Sequence, residues 1–423
     1  MTVDELVREA LEAEVADVEL DPHAWERLRG DLEGRPRRRW QPLTVVLAAA
    51  AVLVLVVAAA ALLGGQEDDT VVVAPSTTAA PTTAEDDTDA AAIPADFRAA
   101  SSTWISPDEG WVLGTATCDD VPCAVVARTT DGGASWQQTG DPPFELIPGT
   151  DDEVRIRFAN PDDGWIFGGG LGLLATHNRG RSWTPVTDPQ PATVFALDAG
   201  DDVAWALIAP GGDLEAGRTE APRLYASAIG TDDWQQAAGN VNSGSLNPEL
   251  HSLTVDGSIA FVAGTMPDPW VFVNRADGTD DNLELPTECG RGPRLGAGAG
   301  VLLAVCPTDA AAGSVGKLTF LSTNGGASWQ PRGDAPLPGS EITGVAAADE
   351  STFAIAARSG ATFIHMSFDG GATWETPVEL ADGGAGLLDF RFVTPEVGVA
   401  VSGDGQLYRT TDGGHTWAPV RID

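Results

Sequence analysis

A single lysine (Lys317), two tyrosines, five histidines and four cysteines are all that 423 residues supply of these types. The histidines, His23, His177, His251, His365 and His415, are scattered, and no Cys-x-x-Cys is present, so metal-ligand spacings are missing. No metal centre and no cofactor is expected. Neither a Ser-His-Asp arrangement nor a phosphate-cradling glycine loop stands out. Positive charge is also scarce, with 24 basic against 62 acidic residues and a net charge of −38. A surface of that sign argues against nucleic acid or anionic lipid as a partner. It suits a solvated surface in salty surroundings, or weak cation binding. The lone lysine beside so many arginines reads as codon composition as readily as function.

Long apolar runs are absent but for one. Leu43 to Leu63 carries Thr44 as its sole polar residue, and at 1.5 Å per residue it spans about 31 Å, a bilayer's hydrocarbon thickness. Arg35, Arg37, Arg38 and Arg39 precede it, and Glu67, Asp68 and Asp69 follow. That asymmetry puts the N-terminus in the cytoplasm and everything after Gly64 outside. A cleaved signal peptide competes, but its apolar core is normally shorter and its leader does not run this long. The expected organisation is a helical cytoplasmic tail over 1–39, a transmembrane helix over 40–64, a linker over 65–95 and a folded domain over 96–423. In the tail, Leu6, Val7, Ala10 and Leu11 form one helical stripe, and Asp21-Pro22 opens a second helix. It reads as a simple tail or as a regulatory element of the kind membrane-bound anti-sigma factors carry. The Thr/Ala/Pro/Asp linker has too little apolar surface to order itself.

Abundance lies in a repeated eight-residue pattern, Ser/Thr-x-Asp/Asn-x-Gly-x-Ser/Thr-Trp. It stands at Thr129–Trp136, Thr176–Trp183, Ser322–Trp329, Ser367–Trp374 and Thr410–Trp417. Asp131, Asn178, Asn324, Asp369 and Asp412 cap their own turns, and glycine supplies the φ > 0 that a tight hairpin needs. Trp136, Trp183, Trp329, Trp374 and Trp417 open the next strand with apolar surface to bury. The pattern recurs every 43 to 47 residues, and the long gap between Trp183 and Trp329 holds three periods. Two worn copies fit inside it, Ser227–Trp234 and the turn at Asn274–Thr279. Seven repeats of four short strands predict an all-β, seven-bladed β-propeller. No strand exchanged to lock the ring is visible, and Ile93–Phe97 is the candidate for pairing with the last blade.

The boxes resemble the Asp-box (BNR) repeats of sialidases, sortilin-type receptors and photosystem II assembly factors related to Ycf48, over roughly residues 97–422. The resemblance implies the propeller fold, with the box serving the turn and lying away from the binding face. It also raises a sialidase-like exo-glycoside hydrolase, whose chemistry uses three arginines, a Tyr/Glu nucleophile pair and an acidic Asp. Here the family's Phe-Arg-Ile-Pro signature is missing. Tyr225 and Tyr408 each precede a box by two residues, a position held by Leu174 and Phe320 in other blades, so they read as packing residues.

The expected function is therefore a membrane-anchored, extracytoplasmic, non-catalytic propeller binding a protein or a cell-envelope glycan. Hairpin geometry favours disulfides Cys118–Cys123 and Cys289–Cys306 among the three possible pairings, with free thiols as the alternative. First and third turns of each blade share one face. Second turns and blade-to-blade connections share the other, and the irregular segments 208–223, 264–270 and 306–317 put binding there. Candidate ligand residues are Trp270, standing outside the repeat at the end of a proline-stiffened loop, and Arg157 and Arg391, each four residues before its blade's turn proline. Blade packing for Trp270 and salt bridging for the arginines are the competing roles.

Overall fold

The computed structural model describes residues 92–144, 154–168, 170–189, 192–210, 222–237, 252–264, 270–289, 293–311, 314–380 and 382–423. The expected tail (1–39), membrane helix (40–64) and nearly all of the linker lie outside these residues. No helix among the described residues is long and apolar enough to cross a membrane.

Among the described residues, twenty-eight strands form seven antiparallel sheets of four consecutive strands each. Side chains alternate along a strand, so each blade's second strand feeds both neighbouring interfaces. Trp111 and Leu113 pack toward blade two, whereas Val112 packs toward blade seven. Trp165 and Phe167 pack toward blade three, and Ile166 toward blade one. The result is seven apolar clusters, one at each junction of adjacent blades.

The five boxes share one hydrogen-bond pattern. In blade one, Thr129 Oγ1 donates to Asp131 Oδ1 (2.8 Å) and accepts from Gly133 N (2.9 Å), while Asp131 accepts from Ser135 N (2.9 Å). Blade seven repeats this with Thr410, Asp412, Gly414 and Thr416. The hydroxyl bonds hold the carboxyls of Asp131 and Asp412 down to a pKa of about 2. The fourth box residue then donates its N–H to a carbonyl of the same blade's first turn, as in Gly132 to Asp108 (2.9 Å), Arg179 to Asp162 (3.2 Å) and Gly413 to Glu396 (2.9 Å). First and third turns are thereby tied on one face. The box tryptophans divide: Trp136, Trp183 and Trp234 are buried, but Trp329, Trp374 and Trp417 are half-buried.

Both expected disulfides form, with Cα separations of 5.8 Å for Cys118–Cys123 and 5.1 Å for Cys289–Cys306. Two expectations change. Residues 306–317 are no irregular loop, because the strands Val301–Ala311 and Ser314–Ser322 extend through them as a long hairpin that pairs out to Ala311 and Ser314. Ile93–Phe97 does not pair as a strand. Ile93 instead joins the apolar cluster that contains Val399, Val401 and Leu407 of blade seven. For Lys317, which reads either way from the sequence, the structure adds a place in the fold. Its buried ammonium lies 2.9–3.2 Å from the carbonyl oxygens of Val315, Pro336, Leu337, Pro338 and Gly339, and burial lowers its pKa to about 8.

Among the described residues no blade borrows a strand across the seam, so isolated backbone and side-chain contacts close the ring. Ala99 N donates to Gly405 O (3.0 Å). Arg409 of blade seven donates to Pro107 O (2.8 Å) and lies 5.6 Å above the Trp104 ring. The remaining ties run through the central channel.

Candidate functional site

The first strand of every blade lines the channel and runs from the irregular face to the box face. In every blade but the first, the penultimate residue of that strand lines a central cavity of about 380 Å³. Around the ring that position holds Thr103, Arg157, Asp198, Val255, Ala297, Ala346 and Arg391. Charge is thus confined to blades two, three and seven, and blades four to six present an apolar wall with Leu253 and Leu295.

Arg157 makes a forked pair with Asp389, Nη1 to Oδ2 at 2.8 Å and Nη2 to Oδ1 at 3.0 Å. Asp389 also accepts from Ser101 Oγ (2.6 Å) and Ser102 N (3.1 Å) of blade one. Across the channel, Arg391 Nη2 donates to Asp198 Oδ1 (3.0 Å), which lies 3.9 Å from Arg157 Nε. Four blades, seven, one, two and three, are bound into one ionic network. Burial pushes the Asp389 carboxyl up, but the Arg157 and Arg391 charges and the bonds from Arg157 and Ser101 outweigh it and hold the pKa below the usual carboxylate value. Burial likewise lowers the Arg391 pKa, and Asp198 and Asp389 more than restore it.

The two candidate arginines therefore come together, each engaged by a carboxylate. Trp270 does not join them. It opens the third strand of blade four, and its backbone pairs with Gly264 at the irregular-face end. Sequence reading missed Asp198 and Asp389. The signal was available, since each is an acid inside an alternating apolar strand, where an unpaired charge is too costly to keep.

With Arg155, the lining has three arginines against two aspartates in a chain whose acids outnumber its bases 62 to 24. Such a lining is an electrostatic exception in its own molecule, although Arg157 and Arg391 are each engaged by one of the aspartates. A proton donor needs a raised pKa, and Asp389 is shifted the other way. Tyr225 is buried between blades two and three and Tyr408 packs with the cluster between blades six and seven, and neither lines the cavity. Among the described residues no group of His, Cys, Asp and Glu is placed to hold a metal ion.

No family model and no curated protein sequence matches the chain. Solved structures do resemble it. A Ycf48 bound to a D1 peptide shares 18% identity over 76% of this chain and 96% of that one, with a TM-score of 0.50. Ycf48 from Cyanidioschyzon merolae shares 16% over 77% and 98%, with a TM-score of 0.51. A GH74 enzyme from Niastella koreensis shares 12% over 77% and 65%, at a TM-score of 0.40. Identities this low speak to fold alone, and the fold is a seven-bladed β-propeller of the kind seen in Ycf48.

Proposed function

We propose that this chain is a non-catalytic, peptide-binding propeller held outside the cytoplasm by the apolar segment Leu43–Leu63. Its central channel, and not the irregular face to which the loops pointed, receives a carboxylate of a protein ligand. The observation that carries this reading is the cationic lining within a strongly acidic molecule. Arg391 is the residue assigned to the ligand: one of its nitrogens serves Asp198, and its side chain is 28% exposed, against 13% for Arg157. The apolar wall of blades four to six then takes the ligand's apolar side chains. Ycf48 with a D1 peptide offers a precedent of fold for a peptide ligand. The hydrolase alternative is weakened because the carboxylate nearest Arg157 is held ionised and fully bonded.

The test is fluorescence anisotropy of labelled peptides ending in a free carboxylate or in an amide, with the full chain in detergent. The free-acid peptides should bind and the amidated ones should not. Arg391→Ala should weaken binding at least tenfold, the scale of one charge-assisted hydrogen bond. Equal binding of both peptide forms, or an unaffected Arg391→Ala variant, refutes the reading.

A further inference from the structure

Two departures from the box pattern meet between blades two and three. The second box position is Thr130, Thr323, Phe368 or Thr411 in four blades, but His177 in blade two. The sixth position is Ala134, Arg181, Ala327, Ala372 or His415 in the well-formed boxes. In the worn box of blade three it is Asp232, alone among them in holding a left-handed φ of 51°.

These two residues touch. The imidazole Nδ1 of His177 lies 2.7 Å from Asp163 Oδ1, in the first turn of its own blade, and Nε2 lies 2.8 Å from Asp232 Oδ2. The second oxygen of each carboxylate is occupied: Asp163 Oδ2 accepts from Asn160 Nδ2 (2.8 Å) and Asp232 Oδ1 from Trp165 Nε1 (2.9 Å). Both acids are fixed in place and ionised carboxylates can only accept. A neutral imidazole has one N–H, so its bare nitrogen would face a carboxylate lone pair at hydrogen-bond distance. Imidazolium satisfies both contacts.

The other charges packed around the junction do not change that sign. Arg179 on the same turn is taken by Asp162 (3.0 Å). Asp233, beside Asp232, accepts from Gln235 (2.6 Å). The first turn of blade three, joined to this box by Ile229 N to Asp202 O (3.0 Å), adds Asp201 and Asp202. Partial burial lowers the His177 pKa, and the bonds and charges of Asp163 and Asp232 raise it further, to above its ordinary value.

We propose that His177 is a proton-operated clasp between blades two and three. The imidazolium ties Asp163 to Asp232. Loss of one ring proton to solvent leaves one carboxylate facing a bare nitrogen, and that contact releases. The ring is 42% exposed, so the proton exchanges freely with water. The folded pKa stands above the unfolded value of 6.5. The clasp is therefore complete below 6.5 and is lost as pH rises through the folded value. It sits on the box face, where the first strands of blades two and three end just past Arg157 and Asp198, which approach to 3.9 Å in the channel.

The test uses the full chain with 13C-labelled histidine, the His177 signal being assigned by its loss in His177→Gln. The His177 ring should titrate above 6.5, and Asp232→Asn should lower that pKa. Amide exchange, corrected for intrinsic rate, should show protection of residues 160–163 and 229–233 falling several-fold between about pH 6 and 8 in the wild type, with no such step in His177→Gln. A His177 pKa at or below 6.5, no response to Asp232→Asn, or an unchanged step in His177→Gln overturns the clasp. No ligand enters these measurements, so their failure leaves the channel reading standing, and failure of peptide binding leaves the clasp standing.

Discussion

Replacing Asp389 by alanine removes the carboxylate on which three blades converge. Its side chain is 5% exposed and takes four hydrogen bonds, two from Arg157 and one each from Ser101 and Ser102. The variant leaves the Arg157 guanidinium buried without its main counter-charge, and breaking a buried pair on one side typically costs about 3–5 kcal/mol. A propeller of about 330 residues has an unfolding entropy near 0.7 kcal/mol/K, so the expected fall in Tm is about 4–7 °C. Scanning calorimetry at neutral pH reads it directly. The folded pKa of Asp389 lies below its ordinary 3.8. The stabilisation is therefore present above that value and is lost as pH falls through the folded pKa, and the gap between wild type and variant should narrow only in strong acid. Substituting Arg157→Met in the same molecule should recover part of the loss, because no lone charge then remains buried. A Tm within about 1 °C of wild type, or a double variant worse than the sum of the singles, would falsify the ionic closure of the ring.

Trp183→Ala should destabilise the domain by about 3–5 kcal/mol, since Trp183 is 7% exposed and lies edge-on to Phe158 at 6.1 Å. Trp417→Ala, at a half-buried box position, should cost measurably less, and equal shifts in urea midpoint would contradict the difference in burial. Reduction should lower stability unequally. The Cys289–Cys306 link closes 17 residues and Cys118–Cys123 closes 5, which loop entropy converts to about 3 and about 2 kcal/mol; paired-alanine variants at each link measure them separately. For the proposed anchor, a reporter fused after residue 423 should be active only outside the cytoplasm while residues 1–39 stay protected from external protease. A soluble product starting near residue 65 would show a cleaved leader instead.

Blade number, strand count per blade, disulfide pairing and the box turns were all legible in the chain, for a shared reason. Each depends on residues close in sequence: Thr410, Asp412 and Gly414 bond within one turn, and Cys118 pairs with Cys123 across one hairpin. The hairpin at 301–322 was misread because Pro307 and the glycines that follow it in sequence resemble loop residues, whereas the partner strand pairs Pro307 with Lys317 and Ala310 with Val315. The uneven burial of the box tryptophans was invisible because a Trp ends the box in the same way whether it is buried, as Trp183 is, or half-buried, as Trp417 is. The neighbouring blade decides how much of each indole is covered.

Asp389 shows where local reading ends. It meets Ser101 from 288 positions away and Arg157 from 232, and Arg391 meets Asp198 from 193. Nothing in either local pattern encodes those partners. They meet because seven four-stranded blades close into a ring, which brings Arg157, Asp198, Asp389 and Arg391 from three blades to one central cavity. The sequence by itself determined a repeated blade and its turns, through periodicity and local hydrogen bonding. Only closure of the ring decided which charges face one another across the channel, because that neighbourhood is set by the rotation from blade to blade and not by distance along the chain.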